Sequence, residues 1–280
     1  MFLFKDIPTL QSFLQIYRQN GRSIGFIPTM GALHQGHLSL IRACKEQGHL
    51  AVCSIFINPT QFNQESDFNA YPRHTPADIE LLLQAGCDVL FHPEANTMYP
   101  EGLQVNDYDF GPVTQTLEGM HRPGHFNGVI TIVKRLFEVV QPSHAYFGQK
   151  DFQQCAVIAE MIRRFGFSVE LHRQPIVREK SGLAMSSRNS RLNSEQKQQA
   201  LEIIQTLTWV KAYIYKIPLD QLCEEAMYRL GKNLKPEYFV IADLQTLEPK
   251  SRLAAKEDAV ILAAAWCGDV RLIDNLLVSG

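Results

Sequence analysis

Short apolar segments alternate with amphipathic segments of helical length through the first two thirds of the chain. Strands are predicted at residues 23–27, 51–57, 89–91 and 145–147. Helices are predicted at residues 36–47, 75–85, 127–140 and 152–165, where apolar side chains recur at helical spacing. Parallel strands joined by crossover helices produce this alternation. The pattern therefore predicts an α/β fold with a Rossmann-like, doubly wound parallel sheet.

The pattern changes close to residue 176. A polar loop, REKSGLAMSSRN, precedes predicted helices at residues 194–215 and 219–230, with Ser194 as the N-cap of the first. Strand-like runs at residues 238–241 and 259–265 predict a small second sheet. We therefore expect a Rossmann-like domain over residues 1–176 and a smaller α+β domain, acting as a lid, over residues 177–280.

Composition narrows the class of protein. A chain of 280 residues with a formal net charge of −2 lacks the basic excess that nucleic-acid binding usually requires. Its six cysteines include no CxxC pair, which favours free thiols in a reducing compartment. No apolar stretch reaches the roughly 18 residues of a membrane span. We expect a cytoplasmic protein with no membrane partner and no nucleic-acid partner.

The segment PTMGALHQGHLSL lies where a strand is predicted to lead into the first crossover helix. Ligands of open α/β sheets bind at the carboxyl ends of strands, near a topological switch point. Gly31 would allow a tight backbone turn, and Gly36 would direct amide groups at a helix N-terminus toward an anion. His34 and His37 would then donate imidazole N–H groups to phosphate. Alternatively, the two histidines only cap the helix or bind a metal ion.

The segment SIFINPTQF is an apolar strand that ends in polar amides. Asn58 and Gln61 can each donate and accept hydrogen bonds, which suits a ligand with hydroxyl and carboxylate groups. Residue types alone favour a different interpretation, in which Asn58 forms an Asx-type turn.

The segment FGQKDFQQ combines a predicted strand end with a glycine turn. Gly148 would allow close approach of a nucleotide, and Lys150 is a point charge that can follow phosphate oxygens. Gln154 is predicted on the first turn of the next helix, facing the strand-end crevice. Asp151 is equally well explained as the N-cap of that helix.

The segment MSSRN opens the predicted second domain. Its hydroxyls, from Ser186 and Ser187, and the guanidinium of Arg188 could wrap a departing pyrophosphate, since arginine can bind two oxygens at once. Taken alone, such a segment is more often a solvated loop or a phosphorylation site.

These segments together resemble one family. HQGH, residues 34–37, matches the HxGH signature of the adenylyl-transferring superfamily, and MSSRN is similar to the superfamily's KMSKS-type loop. The longer strings PTMGALHQGHLSL, NPTQF and FGQKDFQQ resemble pantothenate synthetases over most of the chain. One departure is Ser181, where members of that family commonly carry aspartate.

The resemblance implies an ATP-dependent ligase. Its reaction would be the condensation of (R)-pantoate with β-alanine to give pantothenate, AMP and diphosphate, through an enzyme-bound pantoyl-adenylate. ATP would be the co-substrate with Mg²⁺, and the protein would form a homodimer. Catalysis would rest on positioning and electrostatic stabilisation, without a protein nucleophile.

The resemblance also implies roles for individual residues. The catalytic groups would be His34, His37, Lys150 and Arg188. The nucleotide would be bound by Met30, Gly31, Ala32, Leu33, His34, Gln35, Gly36, His37, Gly148, Gln149, Lys150, Asp151, Val177, Met185, Ser186, Ser187 and Arg188. Substrate binding is assigned to Asn58, Gln61 and Gln154, the two glutamines as pantoate ligands.

Asp78 would hold Mg²⁺, or else it is a solvated carboxylate favoured by the helix dipole. The residues of RPGHF, Arg122 and His125, remain open between a structural turn and a contact with the second substrate.

Three rival functions share some of these features. A nucleotidylyltransferase would also carry HxGH but would not require NPTQF or FGQKDFQQ. An aminoacyl-tRNA synthetase fits poorly with the balanced charge and short chain. A nucleotide-binding regulatory module would not need the intact set of His34, His37, Lys150 and Arg188.

Overall fold

The chain divides into two compact units, which a computed structural model describes for residues 1–254 and 257–279. Unit 1 comprises Met1–Phe110, Arg122–Gly148 and Val157–Pro175, and unit 2 comprises Gly111–His121, Gln149–Ala156 and Ile176–Gly280. Two segments that the sequence pattern places in the first domain, 111–121 and 149–156, therefore belong to unit 2.

The regular elements of the described residues are numbered in chain order. The strands are β1 (Phe2–Phe4), β2 (Ile24–Thr29), β3 (Leu50–Ile55), β4 (Val89–Phe91), β5 (His144–Gly148), β6 (Glu170–Gln174), β7 (Lys235–Ala242), β8 (Ala259–Cys267) and β9 (Val270–Val278). The helices are α1 (Ile7–Gln19), α2 (Gln35–Glu46), α3 (Glu65–Asn69), α4 (Thr75–Gln84), α5 (Ala95–Met98), α6 (Pro112–Gln115), α7 (Glu118–His121), α8 (His125–Val140), α9 (Phe152–Phe165), α10 (Ser194–Tyr213) and α11 (Leu219–Leu230).

Unit 1 is built on a parallel sheet in the order β1-β4-β3-β2-β5-β6. Strand order runs outward in opposite directions from β2 and β5, which pair through Gly25 with His144 and Phe26 with Ala145. The topological switch point therefore lies between β2 and β5, where a doubly wound sheet opens a crevice at its carboxyl ends. The predicted fold class is confirmed, although the sequence pattern missed β1 and β6.

Both faces of this sheet are covered by helices. Ile27 and Cys53 pack with Leu38 and Ile41 of α2 in one buried cluster, which also contains Leu82 of α4. On the opposite face, Phe26 meets Phe137 of α8 edge to face, with ring centroids 6.2 Å apart. Because successive residues of β2 point to opposite faces, its apolar run serves both layers.

Unit 2 carries an antiparallel sheet in the order β7-β8-β9. Apolar residues of α10 and α11, among them Leu207 and Leu222, share a core with Ile261 of β8. The N-cap of α10 is Asn193, whose side chain accepts from the Gln196 backbone N–H while Gln196 bonds back. The prediction of Ser194 as the N-cap was wrong by one residue. In a capping box the capping side chain belongs to the residue that precedes the first turn of the helix, and this residue is Asn193.

Ion pairs explain why the segment 111–121 belongs to unit 2. Arg271 of β9 donates to both carboxylate oxygens of Glu118 at 2.7 and 2.8 Å, and to Glu237 of β7 at 2.8 Å. Burial disfavours the charged guanidinium, yet the bonds to Glu118 and Glu237 hold the pKa of Arg271 above its ordinary value. This pairing joins residues 153 positions apart, and no local pattern could reveal it.

The cysteines are free thiols, buried except for the half-buried Cys223, as the sequence predicts. None of the helices in the described part of the chain combines the length and apolar character needed to cross a bilayer.

Candidate active site

Two of the predicted ligand-binding segments lie side by side at the carboxyl edge of the unit 1 sheet. The HQGH segment follows β2, and the NPTQF segment follows β3, its neighbour in the sheet. The strand ends are joined by the Phe56 N–H, which donates to the Thr29 carbonyl at 3.0 Å. The Nε2 of Gln61 lies 3.0 Å from the sulfur of Met30. The structure therefore brings these two segments together within unit 1.

The turn before HQGH is built around a buried carboxylate. Gly31 and Ala32 have φ of 77° and 49°, and the backbone N–H groups of Ala32 and Leu33 donate to Asp78 at 2.9 and 2.7 Å. Asp78 is 2% exposed, so the interpretation as a solvated carboxylate is wrong. A Cβ on Gly31 would lie 2.9 Å from the carboxylate, which explains the glycine. The amides of Ala32 and Leu33 therefore bind the protein's own anion.

Both histidines of HQGH cap α2. The Nδ1 of His34 accepts from the Gly36 N–H at 3.1 Å, and the Nδ1 of His37 accepts from the His34 N–H at 3.3 Å. An imidazole nitrogen that accepts carries no proton, so each ring is protonated on Nε2. The two rings lie 4.1 Å apart, centroid to centroid. Capping and donation to phosphate are therefore compatible functions of the same side chains.

Gly36 and Gln35, two further predicted nucleotide ligands, also form hydrogen bonds within unit 1. The Gly36 N–H donates to His34. The exposed Gln35 side chain accepts from Arg42 at 2.6 Å on the outer surface of α2. The backbone N–H groups of His34 and Gly36 are thus engaged by the two imidazoles, whose Nε2–H groups are left as the candidate donors to a phosphate.

The NPTQF segment is an Asx turn that fixes Gln61. Asn58 is 1% exposed, and its Oδ1 accepts from the Thr60 N–H and from the Tyr99 hydroxyl at 3.4 and 2.6 Å. Its Nδ2 donates to the Gln61 Oε1 at 3.2 Å and to the Gly128 carbonyl at 3.1 Å. Both amide hydrogens of Asn58 are thus used inside the protein. The Asx-turn interpretation is confirmed, and Asn58 acts on Gln61, whose side chain is half-buried.

The RPGHF residues that the sequence left open hold the same turn. The Nδ1 of His125 lies 2.8 Å from the carbonyl oxygen of Gln61 and donates to it, since a carbonyl only accepts. Arg122 donates in turn to the Nε2 of His125 at 3.1 Å. Gly128 of α8 lies against the turn, because a Cβ there would approach the Thr60 carbonyl oxygen to 2.4 Å. Arg122 and His125 are therefore positioning residues for Gln61.

Unit 2 contains the short turn of Gln149–Asp151 that follows β5. The Nδ2 of Asn275 donates to the carbonyls of Gln149 and Lys150, both at 3.0 Å, and its Oδ1 accepts from the Gln149 side chain at 3.1 Å. Asn275 is 1% exposed. The Lys150 ammonium lies 3.6 Å from Asp151. Gln149 is thus a structural residue of this turn, while Lys150 extends from a backbone fixed by β9.

The adjacent glutamines of α9 have different environments. Gln153 is buried, accepting from the Glu118 N–H at 2.9 Å and donating to the Val113 and Thr116 carbonyls at 3.0 and 2.8 Å. Gln154 is half-buried, and the structure gives its amide no hydrogen bond within the described residues. Gln153 is therefore a structural residue of unit 2, and binding of pantoate by Gln154 stays a prediction.

The MSSRN segment is held by side chains of its own unit. Ser186 caps a short 3-10 helix at Ser187–Arg191 by accepting from the Arg188 N–H at 3.3 Å. The carbonyl of Val177 accepts from the Met185 N–H at 3.0 Å, which fixes the backbone at the predicted nucleotide contact. Ser186, Ser187 and Arg188 are half-buried and share the unit with Lys150.

Strand β9 supplies two buried polar residues that the sequence analysis missed. Asp274 binds both Nη atoms of Arg178, at 2.6 and 3.0 Å, and thereby holds the strand-like segment preceding MSSRN. Its neighbour Asn275 holds the Lys150 turn. The available signal was the pair of polar residues in the apolar run VRLIDNLLV, since a buried polar residue in a strand needs a partner.

Comparison with known proteins decides the family. The family model described as pantoate-beta-alanine ligase matches residues 2–277. The chain belongs to the pantoate-beta-alanine ligase family. The pantothenate synthetase of Bacteroides fragilis is 42% identical over 279 residues, which cover 99% of this chain and 98% of that protein. The pantothenate synthetase of Phocaeicola vulgatus is 43% identical over 285 residues and is matched over the full length of both.

Solved structures of the ligase family agree with the fold. Pantothenate synthetase from Thermus thermophilus superposes with a TM-score of 0.92 at 38% identity, with 100% of both chains covered. The ligase from Francisella tularensis, complexed with beta-gamma ATP and beta-alanine, superposes with a TM-score of 0.80 at 32% identity, covering 99% of this chain and 97% of that one. The family predicted from the motifs is confirmed.

Proposed function

We propose that the protein condenses pantoate with β-alanine at the expense of ATP, giving pantothenate, AMP and diphosphate through a pantoyl-adenylate on the enzyme. Membership of the pantoate-beta-alanine ligase family supports the overall reaction. A relative solved with an ATP compound and β-alanine supports ATP as co-substrate. The adenylate route and the residue roles rest on the geometry described above.

In the first half reaction, a pantoate carboxylate oxygen attacks the α-phosphorus of ATP and pyrophosphate departs. Negative charge then increases on the phosphoryl oxygens. The Nε2–H groups of His34 and His37 would donate to those oxygens, while Lys150 and Arg188 would stabilise the departing pyrophosphate. Catalysis would rest on positioned donors, the effect that dominates transfer at phosphorus. Gln61 and Gln154 would hold pantoate through their amides.

The observation that carries this proposal is the fixed tautomer of the histidine pair. Each Nδ1 accepts a backbone N–H, and the Met30 side chain between HQGH and NPTQF contacts Gln61. Two donors of fixed tautomer therefore follow a segment whose Met30 side chain contacts an amide suited to a hydroxy acid. A metal-binding or purely capping function would not require Gln61 at this position.

In the second half reaction, the deprotonated amine of β-alanine attacks the acyl carbon of the adenylate. The C–O bond to phosphate breaks, AMP leaves, and one former carboxylate oxygen of pantoate departs with AMP. Water must be excluded meanwhile, because it would hydrolyse the adenylate.

The residue predicted to hold Mg²⁺ is already bound within the protein. Asp78 is buried, and its two oxygens already accept the Ala32 and Leu33 N–H groups. Around Asp78 the described residues form no group of three potential metal ligands. Asp78 therefore does not fit as a direct ligand, and we propose that its function is to shape the HQGH loop. Any Mg²⁺ would arrive bound to the phosphates of ATP.

The proposal is tested by exchange of labelled pyrophosphate into ATP. We expect exchange with pantoate alone, before β-alanine is added, because the adenylate forms in the absence of the amine. Pantoate labelled with ¹⁸O in its carboxylate should then deliver one labelled oxygen to AMP on complete turnover. Absence of exchange with pantoate, or AMP without label, would contradict the adenylate route. A nucleotidylyltransferase would form no amide.

Asn275 offers a further prediction. Replacing it with alanine removes the amide that donates to the carbonyls of the half-buried Gln149 and Lys150, at about 0.5–1.5 kcal/mol of stability for each hydrogen bond lost. We expect Lys150 to lose its position and pyrophosphate exchange to fall by at least about tenfold, since a small misplacement at a reacting centre is costly. Gln221→Ala in the same unit, at an exposed glutamine whose side chain has no hydrogen bond within the described residues, is the control and should change neither. Normal exchange by Asn275→Ala would show that the turn does not depend on β9.

The oligomeric state, the cellular location and the lid function are proposed from the sequence alone. A homodimer is proposed from the family resemblance and is checked by light scattering on the purified chain. The cytoplasmic location and the lid function of the C-terminal domain also stay predictions.

A further inference from the structure

Three histidines converge at the edge of the unit 1 sheet opposite the candidate active site. His49 directly precedes β3, His144 begins β5, and His172 is the third residue of β6. Gly148 at the other end of β5 lies about 13 Å from His144 at the usual rise per residue of a strand. The motif analysis and the proposed reaction use none of these histidines.

Their ring nitrogens are close enough to share one ion. One ligand atom from each histidine lies within 4.8 Å of the other two. The Nδ1 of His144 and the Nε2 of His172 are 3.0 Å apart, and the His49 and His144 rings stack with centroids 3.8 Å apart. Nitrogens that share a tetrahedral Zn²⁺ are separated by about 3.3 Å, given Zn–N bonds near 2.0–2.1 Å. Binding one ion would therefore require a contraction of the cluster and a rotation of the stacked His49 and His144 rings, which turns their nitrogens toward the ion.

The surroundings of the cluster favour a cation. Glu170, which is 66% exposed, places its carboxylate oxygens 3.5 Å from the His144 Nδ1 and 3.6 Å from the His172 Nε2. Ser23 lies 2.6 Å from the Nδ1 of His49, in the manner of the outer partners that orient metal-binding histidines.

We propose that His49, His144 and His172 form a Zn²⁺ site, with Glu170 as the fourth ligand. Imidazole nitrogen with one carboxylate is a ligand set that Zn²⁺ accepts. The ion would join the start of β3, the start of β5 and the edge strand β6, so its function would be structural. Its position at the far edge of the sheet separates it from the ATP chemistry of the HQGH segment.

The test uses tag-free full-length protein, stripped with a chelator and titrated with Zn²⁺ against a chromophoric competitor. We expect one Zn²⁺ per chain, and a thermal midpoint about 5 °C higher at 100-fold excess over Kd. Substituting Co²⁺ should produce the intense visible bands of a tetrahedral site. Loss of an outer partner typically weakens metal binding by about 10- to 100-fold, and we expect Ser23→Ala to weaken Zn²⁺ binding by about tenfold. His144→Gln and His172→Gln each remove a direct ligand and should weaken Zn²⁺ binding by more than about 100-fold.

Two controls separate this site from other histidines. The double variant His34→Gln/His37→Gln removes the other close pair and should retain the Zn²⁺, as should His74→Gln at an exposed histidine. His172→Gln should leave pyrophosphate exchange unchanged. Three outcomes would overturn the proposal: no binding by the wild-type chain, equal binding by His144→Gln and His172→Gln, or loss of binding in the double variant. Because His172 is on the edge strand, its variant remains informative if His144→Gln fails to fold.

Discussion

Replacing His37 with asparagine is expected to lower pantoate-dependent pyrophosphate exchange by about 100-fold while leaving the fold intact. Removing one donor to charge that develops in a transition state typically costs about 10²- to 10³-fold in rate. Asparagine Oδ1 can occupy the place of the imidazole Nδ1 and accept the His34 N–H, so the cap of α2 is preserved. What asparagine lacks is the Nε2–H. The variant therefore removes the donor alone, and exchange assays with circular dichroism measure both consequences.

Glutamine at the same position is the matched comparison. Its Nε2–H can reach the place of the imidazole Nε2 while the cap to His34 is lost. If donation to phosphate is the function of His37, the glutamine variant should be clearly more active than the asparagine variant and slightly less stable, since a lost cap costs about 0.5–2 kcal/mol. The reverse order, an active asparagine variant and an inactive glutamine variant, would show that His37 only caps α2.

The local chemistry of the site was predictable because it follows from neighbours in the sequence. The spacing of His34 and His37 places both on the first turn of α2, and the Asn-Pro pair predicts the turn around Asn58. Hydrophobic periodicity located β2 to β5 and their crossover helices, since burial on both faces produces continuous apolar runs. These features require only short-range information.

Partners from distant parts of the chain were not predictable. Asp78 lies 45 residues from Leu33, and Asn275 lies 125 residues from Lys150. A carboxylate in the first turn of a helix has the same sequence pattern whether it is solvated or buried against a loop. The sequence therefore predicted candidate ligand-binding side chains but not the distant residues that hold them in place. Strand β6 was missed because its polar residues, His172 among them, do not form an apolar run.

Replacing Gly128 with alanine is expected to cause a large loss of activity through Gln61. The added Cβ would lie 2.4 Å from the Thr60 carbonyl oxygen and 2.8 Å from the Gln61 Cα. Both are backbone atoms, so no side-chain rotation can relieve the contact and the whole turn must move. Overpacking of this kind costs about 1–3 kcal/mol. A displacement of about 1 Å at a substrate-holding residue costs on the order of 10²-fold in rate.

The sign of the stability change in Gly128→Ala makes the test decisive. In a helix without the close contact, alanine would stabilise the chain by about 0.5–1 kcal/mol relative to glycine. We therefore expect a lower midpoint in urea and a higher KM for pantoate. The KM for ATP should change less, because the turn before HQGH is held by Asp78 and not by α8. Thr131→Ala in the same helix removes a hydroxyl bonded to the Asn127 carbonyl and should leave both KM values unchanged. A more stable Gly128→Ala variant with normal pantoate kinetics would mean that the NPTQF turn does not depend on its contact with α8.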